Sequence, residues 1–160
     1  MRPLLILLLC LALAGCYEVA QEVISADLAE KVPFSSARGS SEDGSLQVFL
    51  NRAGLNNDYR FQENREGQVK TGTFRAIRVK GDIYAVQARY DDEPSYYIVF
   101  YRIRSQEFTR VEVAENEDLQ ELAGQFGVTL KSDEYGRKLS GRPAAILAFL
   151  RAHGDLDFVR

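Results

Sequence analysis

The residue inventory limits the chemistry open to this chain. Among 160 residues there is one histidine, His153, and there are two cysteines, Cys10 and Cys16. A lone imidazole works as a general base or metal ligand only with a nucleophile or further ligands beside it, and no pattern around His153 supplies them. The sequence holds no G-x-S-x-G, no Walker loop, no H-E-x-x-H and no dinucleotide-binding glycine pattern. Two acidic clusters remain, Asp91-Asp92-Glu93 and Asp133-Glu134. A hard cation such as Ca²⁺ wants six or more oxygen ligands, and adjacent carboxylates in a turn lack that spacing, so both clusters read as solvated turns. Glycoside hydrolysis needs two carboxyl groups roughly 5–9.5 Å apart across a cleft, and nothing in the sequence places such a pair. No catalytic residue, metal ligand or cofactor is assigned, and the body is expected to be non-enzymatic.

Binding chemistry is more promising. The aromatic residues Phe74, Tyr84, Tyr90, Tyr96, Tyr97, Phe100, Tyr101 and Phe108 crowd one stretch of chain. Tyrosines on a curved sheet can line a pocket for a sugar, lipid or peptide, although the same residues also serve ordinary cross-strand packing. Tyr84, Tyr96, Tyr97 and Tyr101 are therefore candidate ligand-binding residues. Arg75 and Arg102 join them, either as an anion-binding pair in a cleft or as sheet-margin residues whose heads reach water.

The N-terminus carries the clearest signal. Arg2 precedes an unbroken apolar run from Leu4 to Leu13, followed by Ala14-Gly15-Cys16. Ten apolar residues are too few to span a bilayer core, which takes roughly 20 as a helix, but they suit a secretory signal ending in small residues. The run Leu13-Ala14-Gly15-Cys16 resembles the lipobox of bacterial lipoproteins. That resemblance implies cleavage between Gly15 and Cys16, diacylglycerol on the Cys16 thiol and anchoring in a membrane. It also implies the periplasmic face of the outer membrane rather than the inner membrane, because Tyr17, not Asp, follows the cysteine. It covers the first tenth of the chain and is silent about the rest. Cys10 leaves with the signal, so no disulfide or thiolate metal cluster is expected in the mature protein.

The rest reads as one domain. Hydrophobic content of 46% and charged content of 27% are ordinary for a globular body. A net charge of −3 gives no attraction for phosphate backbones, so a membrane and an envelope protein are the expected partners, not nucleic acid. Residues 16–45 are expected to be a lipidated N-terminus and flexible tether, because the serine- and glycine-rich stretch 35–45 has little apolar surface.

From 46 to 113 short runs of Val, Ile, Tyr and Phe alternate with turn signals, which predicts an antiparallel β-meander. A Gly81-Asp82 loop would pair Lys80 with Ile83. A five-residue loop over 91–95 would pair Tyr90 with Tyr96, and a Ser105-Gln106 loop would pair Arg104 with Glu107. Together these put Arg75, Ile77 and Val79 on one face with Tyr84, Val86, Ala88, Ile98, Phe100, Val111 and Val113. Tyr97, Val99, Tyr101 and Ile103 give the third of these strands a second apolar face, which needs its own cover.

Two helices are expected within 116–154. One is capped by Asn116 and ends at Gly127, and the other starts near Pro143 and ends at His153. A small hairpin turns between them around 133–136. His153 would then lie at a helix C-terminus, where the dipole favours a protonated imidazole. The expected fold is α+β: a curved antiparallel sheet of four to six strands with two C-terminal helices packed on it.

Overall fold

The computed structural model describes residues 16–40, 46–54, 56–105, 107–113, 117–134 and 136–159. The signal segment 1–15, with Leu13 to Gly15, and the cap at Asn116 lie outside them. The strands are β1 (Tyr17–Val19), β2 (Ser36–Ser40), β3 (Leu46–Ala53), β4 (Asp58–Arg65), β5 (Gln68–Lys80), β6 (Ile83–Tyr90), β7 (Tyr96–Arg104), β8 (Glu107–Val113), β9 (Thr129–Asp133), β10 (Gly136–Ser140) and the two-residue β11 (Phe158–Val159). Helix α1 covers Glu117–Gln125 and α2 covers Pro143–Ala152, followed by a 3₁₀ turn, His153–Asp155. The fold is α+β and mainly β.

The sheet exceeds the expected four to six strands. Among the described residues it has eleven, ordered β2-β3-β4-β5-β6-β7-β1-β10-β9, with β8 also on β7 and β11 on β8. Six of them come from the predicted meander. The others come from flanking segments that find free hydrogen-bonding edges there. β1 and β8 share one edge of β7, β1 beside Tyr96 to Ile98 and β8 beside Phe100 to Arg104. β1 also runs parallel to β10, which joins the C-terminal hairpin to the sheet and makes it mixed.

Register was right at two turns and shifted at two places. Lys80 pairs with Ile83 and Arg104 with Glu107, as the turn residues imply. A β-bulge between Arg78 and Lys80, however, moves the rest of β5 by one residue, so Ile77 faces Ala85 and Arg75 faces Gln87. At the next turn Ala88 pairs with Tyr97, one residue short of what a five-residue loop requires. The Glu93 N–H closes a tight turn onto the Tyr90 carbonyl at 3.3 Å, which uses fewer residues. The two shifts cancel across β6. Ile77, Ile98, Phe100, Val111 and Val113 share a core as expected, but β6 is turned over and contributes Ile83 and Ala85 in place of Tyr84 and Val86.

Each apolar face therefore has its own core. On one, α1 and α2 bury Leu119, Ala123, Ile146, Leu147, Phe149 and Leu150 against Ile77, Ala85, Ile98 and Phe100. On the other the sheet curls over itself, packing Ala37, Tyr59, Phe61, Phe74, Tyr84, Val86 and Ile103 together. The seam is close: a Cβ on Gly39 of β2 would stand 2.5 Å from the Phe108 ring of β8, so that position admits only glycine without a shift.

Residues 16–40 are not the expected tether. Besides forming β1 and β2, they place Tyr17, Val19, Val23, Ile24 and Ala29 in the helix-side core and Val32, Phe34 and Ala37 in the curled core. Serine and glycine around 35–40 pair in a ladder instead of remaining free, and 41–45 lie outside the described residues. Side chains bonded to its backbone help to hold this segment down. Gln87, 3% exposed, accepts from Val23 N–H at 2.6 Å and Ile24 N–H at 2.9 Å and donates to Ile24 O at 3.2 Å. Gln87→Leu keeps the volume and strands those buried groups, each costing about 1–3 kcal/mol. Chemical denaturation should show a loss of at least about 2 kcal/mol by the same reasoning; an unchanged midpoint would remove the clamp from the account.

Candidate functional site

The six candidate binding residues do not converge. Tyr84, Tyr97 and Tyr101 belong to the curled face, away from both helices, and Tyr96 to the other. Tyr84 is buried and accepts a hydrogen bond from Arg78 at 2.8 Å. Tyr97 donates to Glu93 at 2.7 Å, and that carboxylate also receives Lys70 at 2.9 Å, which holds its carboxyl below the ordinary range despite partial burial. Tyr101 packs edge-on against Phe108, and burial pushes its hydroxyl up to about 12. These tyrosines are packing and bracing residues. Because β6 is turned over, Tyr84 lies in the curled core and not on the face of Ile77, Ile98 and Phe100 where the turn residues put it.

Arg75 and Arg102 also fail to form a pair. Arg75 lies opposite Gln87, while Arg102 lies opposite Ile83 near the far end of β6. Each is matched by carboxylates. Arg75 donates to Asp58 and to Glu22, both at 2.5 Å. Asp82 lies 3.5 Å from Arg102 and also takes Arg104, which keeps its carboxyl below the ordinary range.

Arg75 and Tyr96 do meet, in a half-open cleft of about 250 Å³ beyond the helices. Glu22, Asp58, Arg60, Thr73, Gln87 and Arg89 complete most of its wall. Its position follows from the topology. Gln87 pins residues 23–24 across the sheet, Glu22 forms one rim, and the starts of β4 and β7, the middle of β5 and the end of β6 form the floor. Half of this lining is charged. Arg75 is held rigid by its two carboxylates. Arg60 reaches Asp91 at 3.0 Å. Arg89 is exposed, lies over the Tyr96 ring at 5.4 Å and donates to its hydroxyl at 3.4 Å. Among the described residues no carboxylate stands within ion-pair distance of Arg89. A guanidinium stacked on a ring and lacking a carboxylate can accept a carboxylate or phosphate oxygen from outside. The volume lies below the roughly 300 Å³ at which typical small-ligand sites begin, so the cleft suits one anionic group rather than a whole cofactor. Arg89 was missed in the sequence because only folding brings it to Tyr96.

The acidic turn is structural. Asp91 accepts from Arg60 and from Thr71 at 2.7 Å, so these carboxylates stitch hairpins together instead of standing free in solvent. Cys16, immediately before β1, is buried, with Arg110 Nη2 donating to its sulfur at 3.6 Å. Burial raises its thiol and the Arg110 charge pulls the other way.

Compared with known proteins, the chain matches no family model, no curated protein and no solved structure.

His153 differs from the expectation of a dipole-stabilised cation. It is 0% exposed, stacked on Phe100 at 4.8 Å, with Nδ1 donating to Phe149 O at 2.8 Å and Nε2 accepting from the Tyr17 hydroxyl at 3.1 Å. Desolvation outweighs the helix terminus and lowers its pKa from 6.5 to about 4. The unfolded chain therefore takes this proton first. The stability His153 contributes is complete above about pH 6.5 and is lost as pH falls from there toward 4, a swing of about 3 kcal/mol. Urea melts across that window should show it, and His153→Gln, which cannot titrate, should flatten this acid limb. An unchanged limb would mean that other groups set it.

Proposed function

We propose that this chain is a lipid-anchored lipoprotein of the bacterial cell envelope, on the periplasmic face of the outer membrane, with a non-catalytic binding module as its body. The observation that carries the reading is Leu13-Ala14-Gly15-Cys16 directly after an apolar run too short to span a membrane. Among the described residues no helix is long and apolar enough to cross a bilayer, so attachment rests on lipid at Cys16. Two or more acyl chains hold a protein stably where one does not.

The non-catalytic part of the reading draws on how the titratable groups are occupied. His153 is neutral with both nitrogens bonded inside the core, and Asp91 and Glu93 are committed to Arg60 and Lys70. These contacts support a non-catalytic reading. The module's docking point is the cleft at Arg89 and Tyr96, and its partner presents an anionic group there, most simply an acidic side chain or a chain terminus of an envelope protein. A free small anion is the second reading, favoured by the confined volume.

The anchor is tested in cells. The native protein should incorporate labelled palmitate and stay with membranes through a high-salt wash, whereas Cys16→Ser should lose the label and the membrane association. Label retained by that variant, or a mature N-terminus with an unmodified thiol by mass spectrometry, would defeat the reading.

A further inference from the structure

We propose that the anchored body sits flush on the bilayer surface, held through its own first strand with no spacer between lipid and fold. This rests on lipidation of Cys16 and adds where the body then lies. Sorted lipoprotein domains are free to move when a disordered segment follows the anchor, since a Gly/Ser-type spacer of n residues reaches about 5–6 Å × √n. Here no residue is left for such a segment. Tyr17, next to the anchor residue, is 1% exposed, and its ring meets Phe100, Phe149 and His153. Glu18 accepts from Ser95 at 2.9 Å and lies 3.8 Å from Lys138, and Val19 is again in the core. β1 is bonded on both sides, to β7 and to β10. Pulling Cys16 away from the body would break both ladders, the Tyr17–His153 bond and part of the helix-side core.

The sulfur, buried in the protein without its lipid, lies beside two guanidiniums. The Arg110 guanidinium stands 3.6 Å from it, and Arg137 lies over the Tyr17 ring at 5.9 Å. Glu112, 3.2 Å from Arg110, offsets part of that charge. Both guanidiniums are bonded within the fold, Arg137 donating to Val113 O at 3.2 Å, so the body's attachment rests on β1. The position of the cleft follows. β1 runs from the anchor to Val19, opposite Tyr96, so the cleft begins only about 10 Å along the strand at 3.3 Å per residue. Whatever binds at Arg89 is met at the bilayer, within the roughly 40 Å that a body of this size extends from it.

The test uses the full lipidated chain in vesicles of phosphatidylethanolamine and phosphatidylglycerol. With Cys16 alkylated, a cysteine introduced by Gln68→Cys on the exposed start of β5 is the single thiol available for a fluorophore. Intact mass is read first, and a missing lipid there would overturn the anchoring reading and this one together. Time-resolved anisotropy is then compared with a variant carrying about twenty Gly/Ser residues inserted between Cys16 and Tyr17, a spacer reaching about 25 Å. The native protein should keep a residual anisotropy that the insertion lowers at least about two-fold. Near-ultraviolet circular dichroism should be the same in both, since the insertion precedes β1. Lipidated native protein that depolarises as fast as the insertion variant would overturn the proposal while leaving the lipid anchor intact.

Discussion

Strand β7 is apolar on both faces, and that single constraint organises the molecule. Ile98 and Phe100 point one way, Val99, Tyr101 and Ile103 the other, and neither set can be left to water. One sheet flanked by helices on one side would cover only half of this surface. The chain solves it twice, with helices on one face and with the sheet's own curvature on the other. The bulge beside Val79 serves the second solution, because an extra residue in one strand bends it and increases its twist. β5, thirteen residues long, can then belong to the helix-side core through Ile77 and to the curled core through Phe74 and Ala76.

The N-terminal segment ties the two cores together. It crosses from Tyr17 and Val19 on the helix side, through the Gln87 clamp, to Val32 and Phe34 in the curl, and Glu30 N–H closes onto Ala76 O at 2.7 Å on the way. Its first aromatic residue is bonded to His153, so the two ends of the described chain meet in one buried contact. An imidazole kept neutral suits that position. In its neutral form one ring nitrogen donates and the other accepts, which satisfies a helix carbonyl and a tyrosine hydroxyl at once; a protonated ring would bring an unpaired charge into the core.

How far the sequence could be read depended on whether the signal was local. Turn chemistry is local, so Gly81-Asp82 and the Ser105 turn were legible, as were both helices through their apolar stripes and the hairpin between them. The bulge was not, since it answers to the curvature of the whole sheet. The tight turn at Tyr90 to Glu93 was misjudged because length alone does not fix a loop's register. These two misreadings cancelled on β7 and β8, and only β6 came out inverted, carrying Tyr84 to the wrong face. The segment 16–40 was misread for a related reason. Its sparse apolar residues (Val23, Ile24, Val32, Phe34) show no strong period of 2 or 3.6, yet each finds a place prepared by residues far away in sequence. The candidate site was legible only in part. Arg75 and Tyr96 were singled out, but their meeting place needed Glu22, Asp58 and Arg89 from three other segments.

The arginines of the sheet fall into two groups, those paired with carboxylates and those stacked on rings. Arg60, Arg75, Arg102 and Arg104 each face a carboxylate within 4 Å, in pairs that join neighbouring hairpins. Such exposed pairs contribute little stability one by one, about 0–1 kcal/mol. Their larger effect is to tie the hairpins to one another. Arg89, like Arg38 and Arg78, lies over an aromatic ring with no carboxylate within 4 Å among the described residues, and of these three it alone lines the cleft. Its planar group rests on Tyr96, which favours a cation but supplies no negative charge, so its capacity for a bidentate anion is unspent. The same pocket wall contains Gln87, whose amide fixes the strand-crossing segment that bears Glu22. A partner that reached Arg89 would therefore bind against the most tightly clamped part of the fold, and it would gain from a surface already ordered before it arrives.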